Sequence, residues 1–333
     1  MIKRSINILI VSLITIFLMC LFLPVNAQEV VLRFGHNSAI DYPYQDALEY
    51  LANECAEKTN GELIIEIYPN AQLGDQRQMI EGLQLGTVDG CCTAATDFSQ
   101  FVPEADVLCL PFIFKNMEHS YRVMDGPVGD KIAQIAEEEA NIKVLGYLSV
   151  GKRSIFNSEK PIYTPEDLKG MKIRTMPGKV DVMAFNTIGA VATPIPYHEL
   201  YTALQQGVIA GAENDPISFY TQKFYEVCKY YSLTEHYING AYSPMLIGLK
   251  AWNKLSDKQK LVMLEAAKGA IEFERKYHED QTSIYMEKLK EVGVQINKVD
   301  REPFIEAMSP VWAEVSAGRP EVELLIKQIQ AVE

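Results

Sequence analysis

The sequence predicts an α/β protein of two similar lobes, joined at a hinge and tied together by one long helix. Three features predict this class. Strand-like and helix-like segments alternate as β-α-β-α-β up to Gly151, and the alternation then starts again. The segments LQLGTVDG (83–90) and LQQGVIAG (204–211) share Leu, Gln, Gly and Gly in register, each a helix end, a glycine stop and a strand start. Helical spacing then continues from Ser256 to about Val292. That is some 36 residues, or about 54 Å at 1.5 Å per residue, more than one small domain spans.

The elements follow in order. VVLRFGH (30–36) reads as a first strand, and YPYQDALEYLANECAEKT (42–59) as a helix that Asn60-Gly61 stops. ELIIEIYP (62–69) is a second strand. Asp75, with Gln78 three residues on, opens a helix that ends at Gly86. TVDGCCTA (87–94) is a third strand, GDKIAQIAEEEA (129–140) a helix, and KVLGYLSVG (143–151) a strand. A largely parallel sheet follows from this order. In the second half, RSIFNS (153–158) is a strand, and Thr164, Pro165 and Asp167 open a helical turn. MKIRTMP (171–177) is a strand, a helix runs to Gly189, and HELYTALQQG (198–207) and VIAGAEN (208–214) are a helix and a strand. The last third reads as mostly helical, with Ser256 and Gln259 capping the long helix. In open α/β sheets ligands bind beyond the carboxyl ends of strands. Those ends are AATDF (94–98) and AEND (212–215), so two facing sheets would enclose a cleft.

The N-terminus addresses the chain for export. Lys3 and Arg4 precede an apolar run from Ile6 to about Val25, and Val25-Asn26-Ala27 resembles a cleavage site. An uncleaved membrane anchor is the competing reading. Cys20 invites a lipid anchor, but Met19 is bulky for that processing, so residues 1–27 are expected to be removed as a signal peptide. The leader holds two basic residues and no acid, so its loss takes the net charge from −13 to −15. Such a surface repels nucleic acid and anionic lipid. A site for an anion must therefore supply its own positive charge. The five remaining cysteines, an odd number without a CxxC, read as buried free thiols. The five histidines are scattered, and neither a metal nor a cofactor is expected. No GxSxG, GxGxxG or P-loop lysine is present, and an enzyme is not expected.

Two arginines stand out. Arg153 follows Gly151-Lys152 at the entry to the second half. Arg174 sits inside KIRT, with Ile173 and Thr175 facing the other way. The plain reading is a half-buried strand with Arg174 on its wet face. The sharper one is a guanidinium awaiting a carboxylate, which it can grip with two parallel hydrogen bonds. Pro177-Gly178 ends that strand and permits close approach. Asn214 offers a donor and an acceptor, or simply caps the turn before Pro216.

LRFGHN, YPNAQLGDQRQMIEGLQLGTVDG, PEDLKGMKIRTMP, ELYTALQQGVIAGAEN and KFYEVCKYYSLTEH, in this order across the mature chain, together resemble the solute-binding proteins of tripartite ATP-independent periplasmic (TRAP) transporters. The resemblance implies a type II-like periplasmic binding protein that closes on an organic acid and delivers it to a sodium-driven permease of one large and one small membrane subunit. It gives the carboxylate grip to Arg174, with Arg153 assisting and Asn214 completing it. Asn37 with neighbouring His36 falls on the family's position after the first strand, and Tyr197 on the aromatic residue that covers the ligand's apolar face. The positions that carry a glutamate and an arginine in sialic-acid-binding members are Ala94 and Asp97 here, which argues against sialic acid. GAEND and the segment after Pro216 are more similar to members that take sugar acids.

The expected function is an extracytoplasmic, monomeric receptor for a hexuronate such as glucuronate or galacturonate. Gln76, Arg77, Asp97 and Glu213 join His36 and Asn37 as candidates for its hydroxyl groups. The alternatives are a C4-dicarboxylate or keto-acid receptor, or a ligand sensor partnering a histidine kinase. The expected lobes are 28–151 with about 240–279, and 152–239 with about 280–333.

Overall fold

Two β-sheets, each flanked by helices, make up the computed structural model, which describes residues 29–238 and 242–333. The expected leader, with Cys20 and the cleavage site near Ala27, lies outside the described residues. Among the described residues no helix is long and apolar enough to cross a membrane. The first sheet takes β1 (Val30–Gly35), β2 (Leu63–Tyr68), β3 (Gly90–Cys92) and β4 (Ile142–Leu148). The second takes β5 (Lys152–Asn157), β6 (Lys172–Thr175), β7 (Val191–Pro194), β8 (Gly211–Asn214) and β9 (Tyr230–Ile238). The chain then returns to the first sheet as β10 (Ser243–Gly248) and to the second as β11 (Gln295–Lys298).

The strand orders are β2-β1-β3-β10-β4 and β11-β9-β5-β8-β6-β7. β1 pairs in parallel with β2 and β3, and β10 runs antiparallel to both β3 and β4. In the second sheet β5 lies antiparallel between β8 and β9, while β6 is parallel to β7 and β8. Both sheets are thus largely parallel, the first as expected, and each has one reversed strand, β10 in the first and β5 in the second. Strands that return across a hinge enter the other sheet reversed, which is why β5 and β10 break the parallel pattern.

Local sequence explains the boundaries. Asp75 and Gln78 form the reciprocal capping box before the helix Gln76–Leu85, and Gly86 ends it at φ 80°, a left-handed position glycine occupies without a Cβ penalty. The amides of Thr87 and Val88 still bond back to Gly82, so the third strand starts only at Gly90. Ser256 and Gln259 form a second box, and the helix they open runs from Asp257 to Glu291. It packs on the helix Pro43–Lys58 of the first lobe and on the helix Pro216–Thr221 of the second. Its Met263, Ala267 and Ala270 belong to the first core, and its Leu289 to the second. All five cysteines of the described residues are buried free thiols.

The last third is mostly helical, as its periodicity suggests, although β9, β10 and β11 also lie there. One expectation needs correction. The C-terminal part of 280–333 does not stay with the second lobe. β11 and the helix Glu302–Met308 do, with Phe304 and Met308 in its core. The chain then crosses back, and Val311, Val315, Val322, Leu325 and Ile329 enter the core of the first lobe. Trp312 Nε1 donates to Pro111 O at 2.9 Å, and Lys115 Nζ to Val332 O at 2.8 Å. An amphipathic helix finds whichever apolar groove is open, and sequence periodicity does not say which.

Candidate ligand-binding site

The strand ends converge where the two sheets face each other. A cavity opens there, walled by Asn37 and Tyr42 from the first lobe and by Arg153, Arg174, Tyr197 and Asn214 from the second. Asn37, Gln76 and Tyr197 also wall an adjoining outer chamber, which Arg77 and Asp97 line as well.

Arg174 is 1 % exposed on β6, an inner strand that lies between β7 and β8. The wet face of the plain reading does not exist. Its Nε donates to Ile195 O at 2.8 Å. Its two terminal nitrogens, Nη1 and Nη2, are buried and have no hydrogen-bond partner. Tyr197 lies with its ring centre 5.9 Å from the guanidinium carbon. Burial pulls the Arg174 pKa down, and Glu213 opposes that shift. A buried cation with four free N–H bonds costs several kcal/mol unless something polar meets it.

Arg153 is held differently. β5 and β8 are antiparallel neighbours, so Arg153 and Glu213 meet across them. Nε and Nη2 donate to Oε2 at 2.5 Å and Oε1 at 2.7 Å, a two-pronged pair. Nη1 donates to Asn214 Oδ1 at 2.6 Å. Burial works against the charge of Arg153, but Glu213 outweighs it and the pKa is raised. The pair is neutral as a unit, so Arg153 adds little net charge to the cavity. What it does is fix Asn214. With its oxygen taken by Arg153 and by the Asp215 amide, Asn214 turns its Nδ2 toward Tyr197, 3.4 Å from the hydroxyl.

The remaining candidates divide. Asn37 and Gln76 line both chambers. Gln76 Oε1 accepts from the Ala94 amide at 2.5 Å and from Thr93 Oγ1 at 3.3 Å, which locks the end of β3. His36 is fully buried behind the wall, with Nε2 3.0 Å from Gln45 Oε1, and does not line either chamber. Glu213 is likewise occupied, by Arg153, behind the cavity surface. Arg77 is exposed and bonded to Glu81 and Gln100 at 3.0 and 2.9 Å. Asp97 is 3 % exposed, and its Oδ2 has no partner. Burial pushes its carboxyl up to about 7, and Arg174 pulls the other way. Sequence reasoning missed Tyr42 and Tyr44, which line the inner cavity. The signal was present: two tyrosines flank Pro43 at the first position of a helix that follows a strand end.

The lobes also touch beside the cavity. Thr96 Oγ1 donates to Asp181 Oδ2 at 2.8 Å, and Lys179 Nζ lies 2.7 Å from Asp106 Oδ2. At the hinge, Gly151 takes φ 61° against His278 of the long helix, and the Ser149 amide donates to Glu274 Oε2 at 2.9 Å.

Comparison with known proteins fits this geometry. The family model "Bacterial extracellular solute-binding protein, family 7" matches residues 34–318. A solute-binding protein of Chromohalobacter salexigens is 39 % identical over 290 residues, 87 % of this chain and 85 % of that one. Among solved structures, a TRAP periplasmic solute-binding protein of the same species with bound D-glucuronate superposes with a TM-score of 0.87 at 37 % identity, covering 91 % of this chain and 100 % of that one. One from Sulfitobacter sp. NAS-14.1 with bound β-D-galacturonate has a TM-score of 0.87 at 34 % identity, covering 90 % and 99 %. Fold, cavity and family match agree: the chain belongs to the extracellular solute-binding protein family 7, the two-lobed receptors that serve TRAP transporters.

Proposed function

We propose that this protein is the extracytoplasmic receptor that captures a hexuronate, such as glucuronate or galacturonate, for a TRAP permease of one large and one small membrane subunit. One observation carries the reading: Arg174 presents two buried, unpartnered terminal nitrogens to a cavity between the lobes. A carboxylate there takes both nitrogens side by side. Asn214 Nδ2, aimed by Arg153, orients one carboxylate oxygen. Tyr42, Tyr44 and Tyr197 cover the apolar faces of a sugar ring, and Asn37 and Gln76 meet its hydroxyl groups. His36, Gln45 and Glu213 hold these groups from behind. Because Glu213 neutralises Arg153, the inner cavity offers about one net positive charge, which suits one carboxylate. The sugar acids bound by the two similar structures support the ligand class.

On this reading the lobes hinge at 149–151, the leader is cleaved near Ala27, and the ligand leaves chemically unchanged. Calorimetry of the leaderless chain with D-glucuronate, D-galacturonate, D-gluconate and succinate tests it. A uronate is expected to bind most tightly. Tight succinate binding without uronate binding defeats the proposal.

A further inference from the structure

Among the described residues, Asp97 is the one carboxylate that walls the outer chamber with an oxygen left unpartnered in a buried position. It projects from the short helix Ala95–Phe98, just past β3. Arg174 serves the inner chamber, and the two chambers share Asn37, Gln76 and Tyr197 as walls. A ligand whose carboxylate sits on Arg174 therefore directs its far end along these walls toward Asp97. Resting on the sugar-acid reading above, we propose that Asp97 is a specificity residue that rejects acids with a second carboxylate. An uncharged far end places a hydroxyl against Asp97 and donates to it. A sugar diacid brings a second anion against a buried anion, which is costly in a site of low dielectric.

The surrounding charges do not cancel this effect. Arg77 lines the same chamber, but Glu81 and Gln100 occupy it, and it stands on the exposed side. His198 is half exposed and lies 3.6 Å from Glu199. Asp75 adds a further negative charge nearby, and Tyr197 is uncharged, its hydroxyl pushed up to about 12 by burial. Arg174 is the remaining cation, and the first carboxylate uses it. Burial brings the Asp97 carboxyl up to about 7. Discrimination is therefore strongest above neutrality, where Asp97 is ionised. It relaxes in mild acid, where a protonated Asp97 can donate to a second carboxylate.

The test compares D-glucuronate with D-glucarate, the diacid of the same carbon skeleton, by calorimetry at about pH 6 and about pH 8. Wild-type protein is expected to prefer glucuronate more strongly at the higher pH. Asp97→Asn removes the charge while keeping the shape. It is expected to narrow the preference by about tenfold at the higher pH, the factor that matches 1.4 kcal/mol, and to flatten its pH dependence. Asp97→Ser is a second variant with the same expected direction, and melting curves verify that both fold. If either folded variant binds glucuronate yet keeps the wild-type preference and its pH trend, the inference is overturned while the receptor reading stands. If wild-type protein binds no sugar acid at all, the receptor reading fails and this inference with it.

Discussion

Replacing Arg174 separates a ligand-gripping arginine from a structural one. Without ligand, the side chain makes one hydrogen bond, from Nε to Ile195 O, and buries two terminal nitrogens without partners. With a carboxylate bound it would make two more, both charge-assisted. Such bonds contribute roughly 1.5–3 kcal/mol each. Arg174→Lys keeps a charge but cannot present two parallel donors, so losing one bond should weaken uronate binding by about tenfold to 150-fold. Arg174→Met removes the cation and leaves the ligand's carboxylate buried and unpaired. Its expected cost is about 2–5 kcal/mol, or roughly thirty-fold to several thousand-fold in Kd. The apo protein should respond in the opposite sense. Methionine relieves a desolvated charge that the fold does not pair, so the melting temperature without ligand should hold or rise. Calorimetry and thermal unfolding with and without glucuronate measure both quantities. If Arg174→Met binds glucuronate within threefold of wild type, or melts well below it without ligand, the assignment is wrong.

Three further outcomes follow from the contacts between lobes and at the hinge. Burial pushes the Glu274 carboxyl up to about 8, so between its ordinary value near 4.5 and 8 the folded protein holds more protons than the unfolded chain. Stability carried by this group should therefore be full below about 4.5 and fall as pH rises through 8. Glu274→Gln should flatten that part of a denaturation profile, and an unchanged slope refutes the assignment. Gly151→Ala combines a left-handed φ with a Cβ only 2.4 Å from His278 Cε1. It should destabilise by about 1–3 kcal/mol in denaturant titrations, and His278→Ala should recover part of the loss. Thr96→Val with Lys179→Met removes two interlobe contacts that lie off the ligand path. Uronate affinity should then drop by the factor by which the closed form is depopulated, within about tenfold, and mainly through faster release. Unaltered release kinetics would show that these contacts play no part in closure.

Much of this arrangement was legible in the chain itself, for reasons that differ by element. Asp75 with Gln78 and Ser256 with Gln259 are local signals, and both boxes form as written. Arg174 was legible as a candidate, a charge inside a four-residue strand ending at Pro-Gly, although a wet strand face was its ordinary explanation and the family resemblance supplied its role. Its burial was not, since what packs on the face of a strand is a non-local fact. The pairing of Arg153 with Glu213 depends on the antiparallel register of β5 and β8, a non-local fact that no window of sequence contains. The same limit explains His36, a polar residue beside the site whose role is set by Gln45 behind it. The destination of the last helix was invisible for a related reason: Val322, Leu325 and Ile329 declare an apolar face but not the surface it seeks.

That last helix has a consequence for biogenesis. The first lobe starts with Leu32 and Phe34 and is sealed by residues near Ile329, so its interior draws on both extremities of the polypeptide. A domain can consolidate only when its parts have all been made. A ribosome must therefore nearly finish its work before this lobe can lock, and a chain that stays unlocked until then remains threadable. On the proposed reading of residues 1–27 as a leader for secretion, delayed consolidation is an asset written into the topology.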